Sequence, residues 1–470
     1  MKRIERALET GPSFGVRPVP RDARRLSGLD LAVLWGDLSV GLLVLAAGAL
    51  LVPALSLPRA LAAIVIGSVI GSIPLALVGV AGAREGVPGM VLFRPVLGVR
   101  GSWAPSVLNL VQLIGWTALE FWAMGRVANE VSKDLLGLDS YPLWLAVVAV
   151  VCTALALGGP VVVVRKWLER FGVYVLAAIG VWLTYKVLSA ADLDTLWKEP
   201  GTGGWPSFAL AVDLVIAMPI SWLPLVADYN RLARGRSFGG TLWGYAAGNA
   251  WFFALGALLV VVASATPDAA GIGSAVTTLA GGTLLLLILL VGETDEAFAD
   301  IYSSAVSAQN LFPRARQRRL IVGISALGLV LAAFLSMGAY QNFLLLIGSV
   351  FVPLFGVFVA DYFVLRNAGY GEDDLFERGG RFWFRGGVNW VAIVPWALGF
   401  LLYQWSVPTE LAWWKGALEQ VIHGWLHLPF PLFNSVLGAS LPSFLGAFVA
   451  AVVLGRARSR RLGERPQAVS

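Results

Sequence analysis

Gln112, Trp116 and Glu120 are spaced i, i+4, i+8, which places an amide, an indole and a carboxylate on one face of a helix. Such a stripe suits a flat heteroaromatic ligand: the indole stacks on the ring while the polar groups read its edge. A second set of reactive types lies within residues 284–304, an apolar stretch that turns into Gly-Glu-Thr-Asp-Glu-Ala-Phe-Ala-Asp. At about 100° per residue, Glu293, Glu296 and Asp300 fall within about 60° of one another. Ser304 and Ser307 continue that stripe, and Asp295 lies on the opposite side near Thr294. Asp37 and Asp213 also stand among apolar neighbours. Carboxylates gathered in this way offer a site for a coupling cation, a proton or a substrate bearing positive charge. Arg126 is the only base on the Glu120 segment. For Asp213 and Asp295, a position at the aqueous end of a helix explains the acid equally well.

The elements that carry these residues are long and apolar. Of 470 residues, 57% are hydrophobic and only 14% charged, against roughly 25% charged in a soluble domain. Mean hydropathy is +0.75. That is too little polar side chain to coat soluble globules, and Cys152, the single cysteine, excludes a disulfide framework. Apolar runs near 20 residues read as membrane helices. Twelve occur, at about 29–54, 60–81, 104–131, 142–159, 168–189, 207–230, 241–265, 276–309, 319–337, 340–366, 387–405 and 433–454. An acid inside such a span costs at least ~2.5–3.5 kcal/mol and is a candidate for function.

Two runs are interrupted. Run 1 contains Trp35-Gly36-Asp37-Leu38-Ser39-Val40-Gly41, and run 6 contains Met218-Pro219-Ile220-Ser221-Trp222-Leu223-Pro224. Each proline removes a backbone donor. Freed carbonyls in lipid must be satisfied within the protein or line a cavity. Interrupted helices at corresponding places in two halves point to a transporter's site. Runs 1 and 6 are five apart, which suggests inverted repeats of runs 1–5 and 6–10 with runs 11 and 12 added.

Charge sets the orientation. Of 35 Lys and Arg, 29 fall in the N-terminal segment, the loops after even-numbered runs and the tail. This bias places both termini in the cytoplasm of a bacterial-type plasma (inner) membrane. The expected organisation is a cytoplasmic segment at 1–28, a transmembrane domain at 29–454 and a cytoplasmic tail at 455–470. Residues 1–28 lack the apolar core of a cleavable signal. The net charge of +6 then reflects topology and contact with anionic lipid, not nucleic acid.

Several strings resemble the nucleobase:cation symporter-1, or purine–cytosine permease, family over about residues 20–455. They are Gly98-Val99-Arg100-Gly101-Ser102, Gly115-Trp116, Ala227-Asp228-Tyr229-Asn230-Arg231, and Ile301-Tyr302-Ser303-Ser304 with Gln309-Asn310. The longest is Asp361-Tyr362-Phe363-Val364-Leu365-Arg366, then Gly371-Glu372-Asp373-Asp374-Leu375-Phe376, then Gly386-Gly387-Val388-Asn389-Trp390. The resemblance implies an all-α integral membrane protein with twelve spans, the leucine-transporter-type five-plus-five inverted repeat plus two helices, and broken helices 1 and 6. It implies uptake of nucleobases, hydantoins, allantoin or pyrimidine precursors of thiamine, coupled to Na+ or H+. Gln112-Leu113-Ile114-Gly115-Trp116-Thr117-Ala118 and the Met218–Pro224 string look most like the hydroxymethylpyrimidine and thiamine-precursor permeases.

Carried over by the resemblance, Trp116 stacks on the substrate. Glu120 falls one turn on and Pro219 and Ser221 match the span 6 break; the reading of the residues adds Gln112, Glu296 and Asp37 to the substrate site. Pro219 stands where the family often stacks an aromatic. The resemblance also implies a cation site built from span 1 carbonyls and span 8 hydroxyls. Its candidates here are Gly36, Ser39 and Val40 facing Thr294, Asp295 and Ser304. No cofactor or metal is expected beyond the coupling ion, and the protein is expected to act as a monomer. A cationic ligand such as thiamine is a second reading. A channel is a third. A membrane enzyme is a fourth, for which the only paired metal-ligand types are His423 and His427, at i, i+4 before run 12. No Walker-type glycine loop is present, which excludes that route to ATP-driven pumping.

Overall fold

The structure, a computed structural model, describes residues 17–158, 173–266, 268–279, 281–311, 315–371, 373–375, 379–409, 411–432 and 438–462. All its regular elements are helical, and the only β-bridges among the described residues are isolated. The first half contains α1 Gly28–Asp37, α2 Leu42–Ala49, α3 Leu57–Glu85, α4 Gly89–Leu97, α5 Trp103–Leu136, α6 Tyr141–Gly158, α7 Val173–Ala190 and α8 Leu193–Lys198. The second contains α9 Phe208–Ser221, α10 Val226–Asn230, α11 Phe238–Ala263, α12 Ala269–Thr277, α13 Gly282–Leu311, α14 Gln317–Ala332, α15 Met337–Val359, α16 Trp390–Ser406, α17 Ala412–Glu419 and α18 Ser440–Leu462. A π-helical turn, Ala360–Leu365, extends α15, and another, Gln420–Trp425, extends α17.

Among the described residues, five helices are long and apolar enough to cross a membrane, or six if α1 and α2 form one span. The expected interruptions are visible in the backbone. Helices α1 and α2 meet at a 64° bend, and the Pro-rich run 6 stops at Ser221 and resumes at Val226. Two expected boundaries shift: the helix of run 8 begins at Gly282, and run 10 ends in the π-turn; the expected start of run 12 at 433 lies outside the described residues. Helices α4, α8 and α17 fill connections read as loops.

Lipid supplies no hydrophobic drive between helices, so association depends on close backbone approach and interhelical hydrogen bonds. The sequence supplies both. Gly240, Gly244, Gly248 and Gly256 form a stripe on α11 that faces the broken pair. A Cβ on Gly248 would stand 2.0 Å from Ser39 Oγ, and one on Gly256 1.9 Å from the Leu45 carbonyl. Helix α3 uses Gly67, Gly71, Gly79 and Gly82 in the same way against α9 and α10. Buried polar links join these helices: Asn249 Nδ2 donates to Ser68 Oγ (2.9 Å), and Trp35 Nε1 donates to Asn230 Oδ1 (2.9 Å). Helix α13 packs along α5 more extensively than any other pair of helices meets, and this pairing brings the two acid-bearing faces together.

The cytoplasmic-facing loops expected from the charge pattern are tied to one another. Leu26 bridges Ala233 in parallel. Asn389 donates through its backbone to the Leu97 carbonyl (2.7 Å) and through Nδ2 to the Val96 carbonyl (2.7 Å). Arg458 donates to Asn389 Oδ1 (2.8 Å) and lies over the Phe384 ring.

Candidate functional site

The α5 stripe is buried as its spacing implies: Gln112, Trp116 and Glu120 are 3%, 8% and 1% exposed. Trp116 meets Phe343 and Tyr340 edge-to-face, with ring centroids 5.3 and 6.3 Å away. Gln112 Nε2 donates to the Ser221 carbonyl (2.7 Å), the last residue of α9 before its break. One side-chain amide thus satisfies a carbonyl that the interrupted helix leaves open. Its Oε1 is buried without a hydrogen-bond partner.

The α13 stripe faces the same interior. Glu293 and Asp300 are buried, Glu296 is partly buried, and Ser304 is fully buried with its Oγ unpartnered. One carboxylate oxygen each from Glu120, Glu293 and Glu296 lies within 4.8 Å of the others. At an effective dielectric of ~20, each ionised pair at that range repels by about 3–4 kcal/mol. Positive charge among these oxygens, from a proton, a cation or a cationic group of a ligand, relieves that repulsion. Arg126 does not supply it, because its guanidinium lies over the Tyr141 ring, 4.0 Å from the centroid. Glu120 Oε2 and Glu293 Oε2 are buried without hydrogen-bond partners.

Glu293 reaches the helix break. It accepts a hydrogen bond from the Leu42 backbone N–H, at the first residue of α2. The preceding cap position is Gly41, which offers no side-chain cap. A carboxylate from another helix therefore caps this half-helix, where the dipole favours negative charge. Tyr340, from α15, donates to the Leu43 carbonyl (2.9 Å). Asp37, Val40, Glu293 and Glu296 border a small cavity of about 10 Å³, enough for roughly one water.

The other expected residues sort clearly. Ser221 Oγ donates to the Met218 carbonyl (2.7 Å). The Pro219 ring is turned toward α3, where a Cβ on Gly71 would stand 2.5 Å from its Cγ, so it packs between helices. Gly36 uses its carbonyl to accept from Ser39 Oγ (2.8 Å). Thr294 is not on the inward face, and its hydroxyl donates to Val291 of its own helix (2.7 Å). The Asp295 side chain lies outside the described residues. Ser304 is eight residues beyond Glu296, about 12 Å of helix. The structure thus brings the span 1 break to Glu293 and Glu296, not to Thr294 and Ser304.

Asp213 has a structural task. Its oxygens accept from the Ala439 and Ser440 backbone N–H groups (2.6 and 3.0 Å) at the start of α18. His423 and His427 do not share a helix face, because His427 lies past the π-turn with φ of 53°. Sequence reasoning placed Glu293 in the acidic stripe but left out Tyr340 and Phe343. Glu293 was visible in the acidic stripe, but its bond to Leu42 depends on tertiary packing.

The family model described as permease for cytosine/purines, uracil, thiamine, allantoin matches residues 18–426. The chain is 24% identical to a hydantoin permease of Microbacterium maritypicum over 446 residues, covering 87% of this chain and 88% of that protein. It is 28% identical to the cytosine permease of Escherichia coli (strain K12) over 406 residues, covering 84% and 89%. Its fold is similar to that of Mhp1, a nucleobase-cation-symport-1 family transporter solved in a closed conformation with bromovinylhydantoin bound. There the TM-score is 0.75 at 20% identity, with 95% of each chain covered. The match over most of the chain shows that this is a multi-pass membrane permease and not an enzyme, a member of the nucleobase:cation symporter-1 family.

Proposed function

We propose that the protein is a secondary active transporter that imports a pyrimidine-like heterocycle of the hydroxymethylpyrimidine, thiamine or cytosine type, driven by a sodium or proton gradient. The carrying observation is that Gln112 Oε1 and Glu120 Oε2 are buried and unpartnered beside the Trp116 indole. Both atoms accept hydrogen bonds from ring or amino N–H groups, while the indole provides a stacking face. Asp37 and Glu296 border the same region, with Ser221 at the α9 break. In this reading twelve crossings form the two inverted repeats plus two helices. Both termini face the cytoplasm of a bacterial-type inner membrane, and one chain suffices for transport. The cavity beside Glu296 is far smaller than a heterocycle, so loading requires the half-helices to part, as alternating access demands.

A second reading, a hydantoin, allantoin or purine permease, is favoured by the similarity to the hydantoin permease. A thermal-shift screen of cytosine, hydroxymethylpyrimidine, thiamine, hydantoin, allantoin and purines, with and without sodium, separates the two. In proteoliposomes, Trp116→Ala should lose stacking worth about 1–3 kcal/mol, and Glu120→Gln a charge-assisted acceptor worth about 1.5–3 kcal/mol. Both variants should fold yet fail to take up substrate. Uptake at the wild-type level by both would refute the site.

A further inference from the structure

Leu398 of α16 and Leu445, Gly446, Val449, Ala450 and Val453 of α18 line an apolar groove of about 550 Å³. The small residues Gly446 and Ala450 leave room between the larger side chains. Leu398, Leu445, Val449 and Val453 are all exposed, so in a membrane protein this face meets lipid. The groove leads to charge. Arg456 and Arg460 follow Val453 at i+3 and i+7, which keeps them on the same side of the helix. At about 1.5 Å per residue, the Arg456 backbone stands about 4.5 Å beyond Val453. Both arginines are exposed, and neither forms an ion pair among the described residues. Arg458 between them is already used, donating to Asn389 Oδ1 (2.8 Å). That bond sets the end of α18 level with the start of α16, where Trp390 is 63% exposed. An exposed tryptophan at this position marks the membrane–water interface.

We propose that this face binds an anionic glycerophospholipid, with one acyl chain in the α16–α18 groove and its phosphate between Arg456 and Arg460. Three features select that occupant. The residues lining the groove are apolar, and contact along a hydrocarbon chain gathers many small dispersion gains. Guanidinium groups hold phosphate through paired, charge-assisted hydrogen bonds. Neither α16 nor α18 carries an acid that would compete for them. Trp390 sets the depth at which hydrocarbon gives way to headgroup, and the arginines stand at that depth. A second copy of the chain fits less well. Pairing through this face about an axis normal to the membrane would bring four arginines together with no acid between them, and like charges set against each other are costly. The proposal holds whichever heterocycle the protein carries.

The test uses the purified full chain, with phosphatidylglycerol and phosphatidylcholine of identical acyl chains as probes. Native mass spectrometry counts the retained lipid, and thermal melts report the stabilisation that binding confers. Wild type should retain one phosphatidylglycerol in preference to phosphatidylcholine and melt higher with it. Arg456→Gln combined with Arg460→Gln should lower that preference by roughly thirtyfold, the effect of two basic side chains at an anionic surface. Arg318→Gln combined with Arg319→Gln removes two exposed bases at the start of α14 and should leave the preference intact. Ala450→Phe fills the groove and should displace the lipid with both arginines in place. Equal retention of the two lipids by wild type overturns the proposal, as does an undiminished preference in the Arg456 and Arg460 double variant. An equal loss in the Arg318 and Arg319 control, the same stabilisation by inorganic phosphate alone, or a lipid-free dimer would overturn it too.

Discussion

Replacing Asp213 separates a structural acid from a ligand-binding one. Its side chain is 2% exposed, and its two oxygens accept from two successive N–H groups, Ala439 and Ser440, at the start of α18. Hydrogen bonds to a charged group contribute about 1.5–3 kcal/mol each. Asp213→Ala removes both and leaves two buried donors open, so it should cost about 3–6 kcal/mol. Every 1.4 kcal/mol is about tenfold, so even the lower figure shifts the folding equilibrium about a hundredfold. Asp213→Asn keeps one acceptor oxygen and should fall about midway. Gly438→Ala should resemble it, because the residue adopts φ of 66° and its Cβ would stand 2.4 Å from Asp213 Oδ2. Thermal melts of the detergent-purified variants give the order, and ligand binding per folded molecule should stay at the wild-type value. An Asp213→Ala protein that melts with wild type but no longer binds ligand would refute the capping role.

Gly256→Leu should prevent α11 from seating on α2, because its Cβ would stand 1.9 Å from the Leu45 carbonyl; overpacking of this kind costs about 1–3 kcal/mol or more, read as loss of monodisperse protein. Gln112→Ala should strand the Ser221 carbonyl at a cost of about 1–3 kcal/mol, lowering the melting temperature as well as weakening ligand binding. Glu85→Ala removes the acceptor for Tyr362 OH (2.9 Å) and Tyr370 N–H (3.2 Å), so limited proteolysis within 366–389 should speed up.

The helical class and the two breaks were legible because a membrane imposes them: apolar length sets the spans, and Pro and Gly interrupt them. The Gln112–Trp116–Glu120 face was legible because helical periodicity is local. What tertiary packing decides was not. Glycine stripes on α3 and α11 gave no sign of which helix each would meet. Pro219 occupies the expected break, yet its ring is turned to Gly71. Thr294 and Glu293 are neighbours in sequence, and only their rotation about α13 determines which one faces the broken helix. The α4 and α17 helices were missed because they are short and lie in connections.

The acids show why burial in a span does not by itself identify a ligand site. A chain that interrupts its helices in a membrane creates backbone N–H groups with no partner along the helix, and no water reaches them in lipid. Carboxylates on neighbouring helices are strong acceptors and suit helix starts. Asp213 accepts from Ala439 and Ser440, Asp228 from Gly89 at the start of α4, Glu85 from Tyr370, and Glu293 from Leu42. Glu293 differs from Asp213 because its other oxygen remains buried and unpartnered. Asp213 uses both oxygens on backbone and has no free valence with which to report a change of charge. Glu293 has one oxygen on the helix break and one buried without a partner. The Asp213 cap uses both of its oxygens on backbone, whereas the Glu293 cap leaves one oxygen open.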